Sequence, residues 1–126
     1  MMSATDDTVG AVLGQVRTMG EEDNTLIFFF SDNGGPTAQT TSGNGPLRGF
    51  KMTTLEGSTR IPLNAQWKRK IPAGTTFDHP IHNLDLMPTA VAAAGGTIDP
   101  KWKLDGVDLM PYLTGKVKEP QHAAPY

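Results

Sequence analysis

Asp32 and Asn33 stand side by side at the end of an apolar run, Leu26-Ile27-Phe28-Phe29-Phe30. A carboxylate beside a carboxamide supplies hard oxygen donors, the kind that Ca²⁺ and Mg²⁺ take. Open α/β sheets bind their ligands at the carboxyl ends of strands. Yet Asp32-Asn33-Gly34-Gly35 are also common turn formers, and two ligands fall short of the roughly six to eight oxygens that surround Ca²⁺. On the residues alone, a metal corner and a plain turn both stay open. Lys51 lies in the glycine-bearing stretch from Pro46 to Gly57. A loop ammonium there either holds an anion as a compact point charge or is simply solvated. Glu56 follows Thr53 at capping-box spacing, which suits a helix start better than catalysis. His79 and His82 flank Pro80 and precede a helix rather than lie in one, so they do not form the two-histidine helical face of a zinc site. With His122 they are expected to be structural or surface residues. No Ser, His and acid arrangement suggests a triad.

The elements that must position these groups are legible from periodicity. Val9, Val12, Leu13, Val16 and Met19 recur at three- and four-residue spacing, predicting an amphipathic helix. Ser3 or Thr5 would cap it, Asp6 and Asp7 suit its positive end, and Gly20 suits its stop. The unbroken run Leu26–Phe30, closed by turn residues, predicts a strand buried on both faces of a parallel or mixed sheet. Helices above and below such a sheet make an α/β layered fold. Residues 34–59 read as a long loop, rich in Gly, Pro, Ser and Thr, of the kind that is usually functional or disordered. From Arg60 to Trp67 the chain alternates, with Ile61, Leu63, Ala65 and Trp67 on one side; Pro62 places this second strand at an edge or at its own start. Ile71-Pro72-Ala73-Gly74 is a turn. Two helices then begin alike, at Asp85-Leu86-Met87-Pro88 and Asp108-Leu109-Met110-Pro111, each with an Asp cap and a proline in the first turn. Gly95 and Gly115 are their expected stops.

Composition narrows the function. The 126 residues are 37% hydrophobic and 19% charged, with a net charge of −2, a globular balance sized for one domain. A phosphate backbone demands a clustered basic surface, so nucleic acid is not an expected partner. Lys68-Arg69-Lys70 is too short for one and reads as a solvated turn. With no cysteine, disulfides, zinc thiolates and a cysteine nucleophile are excluded. The N-terminal residues have no apolar core of a signal peptide. The longest apolar run is far too short to cross a membrane, and no membrane partner is expected.

Taken in order, these segments resemble the type I sulfatases, the arylsulfatase family of the alkaline-phosphatase-like superfamily. The resemblance rests on Thr25 to Gly35 with its Ser31-Asp32-Asn33-Gly34 end, and on Leu47-Arg48-Gly49-Phe50-Lys51-Met52-Thr53-Thr54-Leu55-Glu56-Gly57-Ser58-Thr59-Arg60-Ile61-Pro62. It continues through Ile71–Gly74, Leu84–Thr89 and Leu104–Leu109. What it implies is an α/β fold, part of an alkaline-phosphatase-like α/β/α sandwich with a mixed sheet. It further implies that Asp32 and Asn33 are two ligands of a divalent metal, normally Ca²⁺, and that Lys51 contacts the substrate sulfate. The implied reaction is hydrolysis of a sulfate monoester, on a small molecule or a sulfated glycan. In this family a formylglycine hydrate, made from cysteine or serine, attacks sulfur and forms a covalent sulfate intermediate. Family members are often periplasmic, secreted or lysosomal, and the chain itself does not decide among these.

The chain departs from the family pattern in several places. It has no Cys-or-Ser-x-Pro-x-Arg nucleophile motif. It also lacks the family's early aspartate pair and the lysine and histidine sites upstream of Asp32. Phe50 and Met52 stand where many members have glycine, and Leu55 where an aromatic is common. Residues 1–126 are therefore expected to be an internal piece of one sulfatase catalytic domain, without the nucleophile region and the C-terminal subdomain, and inactive alone. A strand deprived of neighbours invites self-association through exposed sheet edges. The alternatives are a piece of a related phosphodiesterase or phosphonate hydrolase, or a truncated non-catalytic module.

Overall fold

The computed structural model describes residues 2–120 and 122. Two units emerge, one made of residues 1–26 and 66–126, the other of residues 27–65. The elements in chain order are α1 (Met2–Thr18), β1 (Ile27–Phe30), α2 (Glu56–Thr59), β2 (Leu63–Gln66), α3 (Leu86–Ala93) and α4 (Met110–Leu113), with short 3₁₀ turns between them. This is the mixed α/β content that the sequence predicts.

The helices end as expected. After α1, Gly20 takes a φ of +73°, its N–H bonding the Arg17 carbonyl at 3.0 Å while the Glu21 N–H reaches the Val16 carbonyl at 3.1 Å. That pair of bonds satisfies carbonyls the helix itself leaves open. Gly95 after α3 and Gly115 after α4 repeat the device. The starts differ from expectation. α1 already begins at Met2, so Ser3 and Thr5 lie inside it rather than capping it. Its apolar stripe is not covered: no residue of α1 is buried, and Val12 and Met19 are exposed. α2 begins after Leu55 with no side-chain cap, because the Thr53 hydroxyl is committed to the Phe50 carbonyl at 2.8 Å.

The larger unit is held at two places. Trp67, 4% exposed, donates its indole N–H to the Asp23 carbonyl at 2.9 Å, and Lys70 Nζ lies 3.9 Å from its ring centre. Beside it Glu22 takes Arg17 Nε at 3.0 Å and Lys68 Nζ at 2.8 Å. The bonds from Lys68 and Arg17 hold the Glu22 carboxyl below its usual range, and the Glu22 carboxylate raises Lys68. The basic run is thus a solvated, ion-paired turn, as predicted.

The second place is Asp85, fully buried. The sequence casts it as a helix cap, but its carboxylate makes no capping bond to α3. It accepts instead from the backbone N–H of His82 (2.8 Å) and of Val107 (2.9 Å), and it faces His122 Nε2 at 2.9 and 3.0 Å. One turn on, the buried Thr89 hydroxyl donates to the Asp85 carbonyl at 2.6 Å and accepts from the N–H of Leu109 at 2.9 Å. Leu109, Trp67 and Pro88 are the apolar side chains buried among the described residues. Burial explains the correction: a carboxylate withdrawn from water needs every oxygen engaged, and the nearby His82 N–H together with Val107 and His122 takes it up before α3 can. Asp108 does act at its helix start, accepting from the Met110 N–H at 2.9 Å. Within this unit His82 and His122 therefore serve structure, His82 Nδ1 accepting from the Leu84 N–H at 3.1 Å.

Residues 27–65 form the smaller unit, whose sheet is a two-stranded antiparallel pairing of β1 with β2. β2 alternates as predicted, Leu63 and Ala65 turned inward and Asn64 and Gln66 outward, directly after Pro62. β1 is not buried on both faces: Phe29 is 49% and Phe30 39% exposed. Its only sheet neighbour among the described residues is β2, so one edge and the outer ring faces have no cover.

Two expectations follow for the larger unit. Asp85→Ala strands two backbone N–H groups and a part-buried imidazole, and should cost about 3 kcal/mol or more in chemical denaturation; a loss under about 1 kcal/mol would refute the hub. The depressed Glu22 pKa means that its ion pairs stabilise fully above the ordinary carboxylate value of 4.5 and fade as pH falls through the depressed folded value. Glu22→Gln should remove that acid-side loss from the thermal unfolding profile, and an unchanged profile would contradict the assignment.

Candidate functional site

Every sequence-predicted site residue falls in the smaller unit. β1 ends at Phe30, and Ser31, Asp32 and Asn33 follow at once, so the carboxylate and carboxamide do occupy the C-terminal end of a strand. The Ser31 hydroxyl donates to the Asn33 carbonyl at 2.8 Å and tightens this turn. Asp32 is exposed and Asn33 half-buried. Asn33 Nδ2 donates to the Gly34 carbonyl at 2.9 Å, which commits the nitrogen and leaves Oδ1 as the atom with ligand chemistry.

Next the backbone of the turn lies directly on a second segment. Gly34 is buried, its N–H bonding the Ser58 carbonyl at 2.8 Å. A Cβ on Gly34 would collide with the carbonyl of Gly57, and a Cβ on Gly57 would collide with those of Gly49 and Arg48. Only side-chain-free residues permit this approach. The Gly57 N–H in turn bonds the Arg48 carbonyl at 2.8 Å.

Lys51 is carried into the same cluster. It is the second residue of a turn from Phe50 to Thr53, closed by the Thr53 N–H on the Phe50 carbonyl at 3.0 Å. Met52, third in that turn, has a φ of +81°, the value a type II turn requires at this place and one that glycine adopts without cost. Met52 therefore holds the position under local strain. The Lys51 N–H reaches the Gly35 carbonyl at 3.3 Å, so the lysine and the strand-end pair share one backbone framework. The Lys51 side chain is exposed. Glu56, one turn away, makes only a loose, exposed pair with Arg60 at 3.7 Å, as a structural residue would.

The donor set fits part of a hard-cation site. One carboxylate and one carboxamide oxygen are the right chemistry, and no group of three or more His, Cys, Asp or Glu suited to a metal occurs among the described residues. The remaining oxygens would come from water or from groups outside this cluster. A separate shallow groove of about 280 Å³, lined by Leu84, Met87, Lys103 and Leu104 among others, contains none of these residues.

One member of the cluster is missed by sequence reasoning. Asn44 Oδ1 accepts from the Gly35 N–H at 2.8 Å, while Nδ2 donates to the carbonyls of Gly35 (2.9 Å) and Gly49 (3.1 Å). Gly43-Asn44-Gly45-Pro46 reads as turn chemistry. The available signal was the long irregular loop itself, whose backbone groups need partners that no helix or sheet supplies.

The sulfatase family model matches residues 1–96. The chain is 43% identical to bovine arylsulfatase A over 119 residues, covering 93% of this chain and 23% of that protein. It is 36% identical to rat steryl-sulfatase over 124 residues, covering 93% of this chain and 22% of that protein. Among solved structures, Ps i-CgsB in complex with k-i-k-neocarrahexaose superposes with a TM-score of 0.83 at 40% identity, over 88% of this chain and 24% of that one. The chain thus spans less than a quarter of the length of these relatives. Its neighbours are sulfatases of the alkaline-phosphatase-like fold. The chain belongs to the sulfatase family and carries part of that α/β fold.

Proposed function

We propose that this chain supplies the strand-end metal corner and the sulfate-contacting lysine of a sulfuric ester hydrolase acting on sulfate monoesters. The observation that carries this reading is the bond from the Lys51 N–H to the Gly35 carbonyl, which fixes Lys51 to the turn bearing Asp32 and Asn33. Asp32 and Asn33 Oδ1 would hold the ion, normally Ca²⁺ in this family. When bound, the ion supplies a Lewis-acidic positive charge toward a sulfate oxygen. The Lys51 ammonium neutralises charge on the same group, and its exposed side chain is free to reach an anion from solvent. The nucleophile lies outside these 126 residues, which contain no cysteine and no Ser-x-Pro-x-Arg motif. Both an aryl ester and a sulfated sugar suit the chemistry. The oligosaccharide in the Ps i-CgsB structure supports a carbohydrate as one substrate class. Likeness to sulfatases does not favour the phosphodiesterase alternative.

Three outcomes are expected. The chain alone should show no turnover of an aryl sulfate above buffer, because covalent catalysis needs an activated nucleophile. Calorimetric titration of it with Ca²⁺ should show no saturable site at micromolar concentration; two ligands and an opposing Lys51 charge support affinity of about millimolar order at best. A tight site lost on Asp32→Ala would mean that this corner is complete. Residues 27–66, exchanged for their counterpart in bovine arylsulfatase A, should preserve turnover. Lys51→Ala in the exchanged segment should then lower kcat/KM by about 10²- to 10³-fold. Unchanged turnover in that variant would remove the lysine from the reaction.

A further inference from the structure

We propose that Asn44 is a positioning residue, whose carboxamide sets Lys51 in register with the Asp32–Asn33 turn. The inference rests on the reading of Lys51 as the sulfate contact and adds the group that places it. The Asn44 amide pairs with the Gly35 main chain in both directions, accepting from its N–H at 2.8 Å and donating to its carbonyl at 2.9 Å. That carbonyl is also the one that the Lys51 N–H uses, at 3.3 Å. The second amide hydrogen goes to the Gly49 carbonyl at 3.1 Å, two residues before Lys51.

Asn44 therefore grips both ends of the link. It orients the Gly35 peptide that receives Lys51, and it ties down the backbone from which Lys51 departs. No helix or strand does this, because residues 31–55 contain neither. The geometry uses one acceptor and both donors, which only a carboxamide offers. Aspartate keeps the acceptor but turns two attractive contacts with carbonyl oxygens into repulsive ones. Glutamine is a methylene longer in a space where Ser42 already lies against Gly35, as the close approach of Ser42 to a Gly35 Cβ shows. Three bonds from one half-buried side chain to two backbone segments exceed what a surface asparagine needs for solubility.

Amide hydrogen exchange on the full 126-residue chain, read residue by residue by NMR, tests the positioning. Asn44→Ala and Asn44→Asp should each speed exchange of the Gly35 and Lys51 amides at least tenfold. The Leu109 amide in the other unit should stay within about threefold. Equal acceleration in both units would reduce Asn44 to a general stabiliser, and an unchanged Lys51 amide would overturn the proposal outright. A titration with inorganic sulfate, followed at the Lys51 amide, tests its use. Asn44→Ala should weaken sulfate binding about tenfold in the otherwise native chain and not at all when Lys51 is already alanine. An equal loss in both backgrounds would mean that Asn44 does not act through Lys51, which overturns the inference. Sulfate binding unaffected by Lys51→Ala would instead remove the lysine reading, while the exchange result still judges Asn44.

Discussion

The site depends on one close approach of backbone to backbone, Gly34 against Gly57 and Ser58. Peptide groups this close leave no room for a Cβ on Gly34, and the carbonyls of Gly49 and Arg48 leave none on Gly57, so the sequence must supply glycine at both. Once made, the approach fixes where the strand-end turn lies relative to the loop that carries Lys51. The other bonds of the unit build on it: Gly57 to Arg48, Asn44 to Gly35 and Gly49, Lys51 to Gly35. Glycine leaves the side-chain layer empty here, and hydrogen bonds replace apolar packing as the source of order. Such order is directional, which suits a loop that must place a charge rather than fill a volume.

The larger unit solves a related problem in the opposite way. There a charged-type side chain, Asp85, is drawn into the interior and surrounded by one nearby donor, the His82 N–H, and two from distant parts of the chain, Val107 and His122. Thr89 extends the same network to Leu109. Removing one partner from such a buried group costs more than the bond itself, because the group left behind has lost its water. The two units share a design in which polar groups, each fully engaged, hold irregular backbone in place.

What the sequence discloses and what it hides follow from this design. Features with a period or a local signature were legible: the α1 stripe, the alternation of Leu63 and Ala65, the stops at Gly20, Gly95 and Gly115, and the turn residues after Phe30. The resemblance to sulfatases brought Asp32, Asn33 and Lys51 forward together, where separately each reads as an ordinary turn or loop residue. The contacts that position them were not legible, because they join side chain to backbone across irregular separations. Asn44 meets Gly35 nine residues back, Val107 meets Asp85 across twenty-two, and His122 meets Asp85 across thirty-seven. Nothing in composition or spacing marks such pairs. The same gap explains the error on Asp85, whose cap-like setting before Pro88 is real but whose carboxylate is shared between the nearby His82 N–H and the remote Val107 and His122. The prediction of a strand buried on both faces failed for another reason: an apolar run records the environment it evolved for, and Phe29 and Phe30 have no such cover among the described residues.

The scarcity of buried apolar side chains, Trp67, Pro88 and Leu109 among the described residues, has a calorimetric consequence. The heat capacity of unfolding comes chiefly from apolar surface newly hydrated, with polar groups contributing in the opposite sense. A chain held by peptide groups and carboxylates exposes little of the first and much of the second when it opens. Its stability curve should therefore be flatter with temperature than that of an ordinary domain of the same length. The slope against denaturant should be shallow for the same reason, since it too follows the surface exposed.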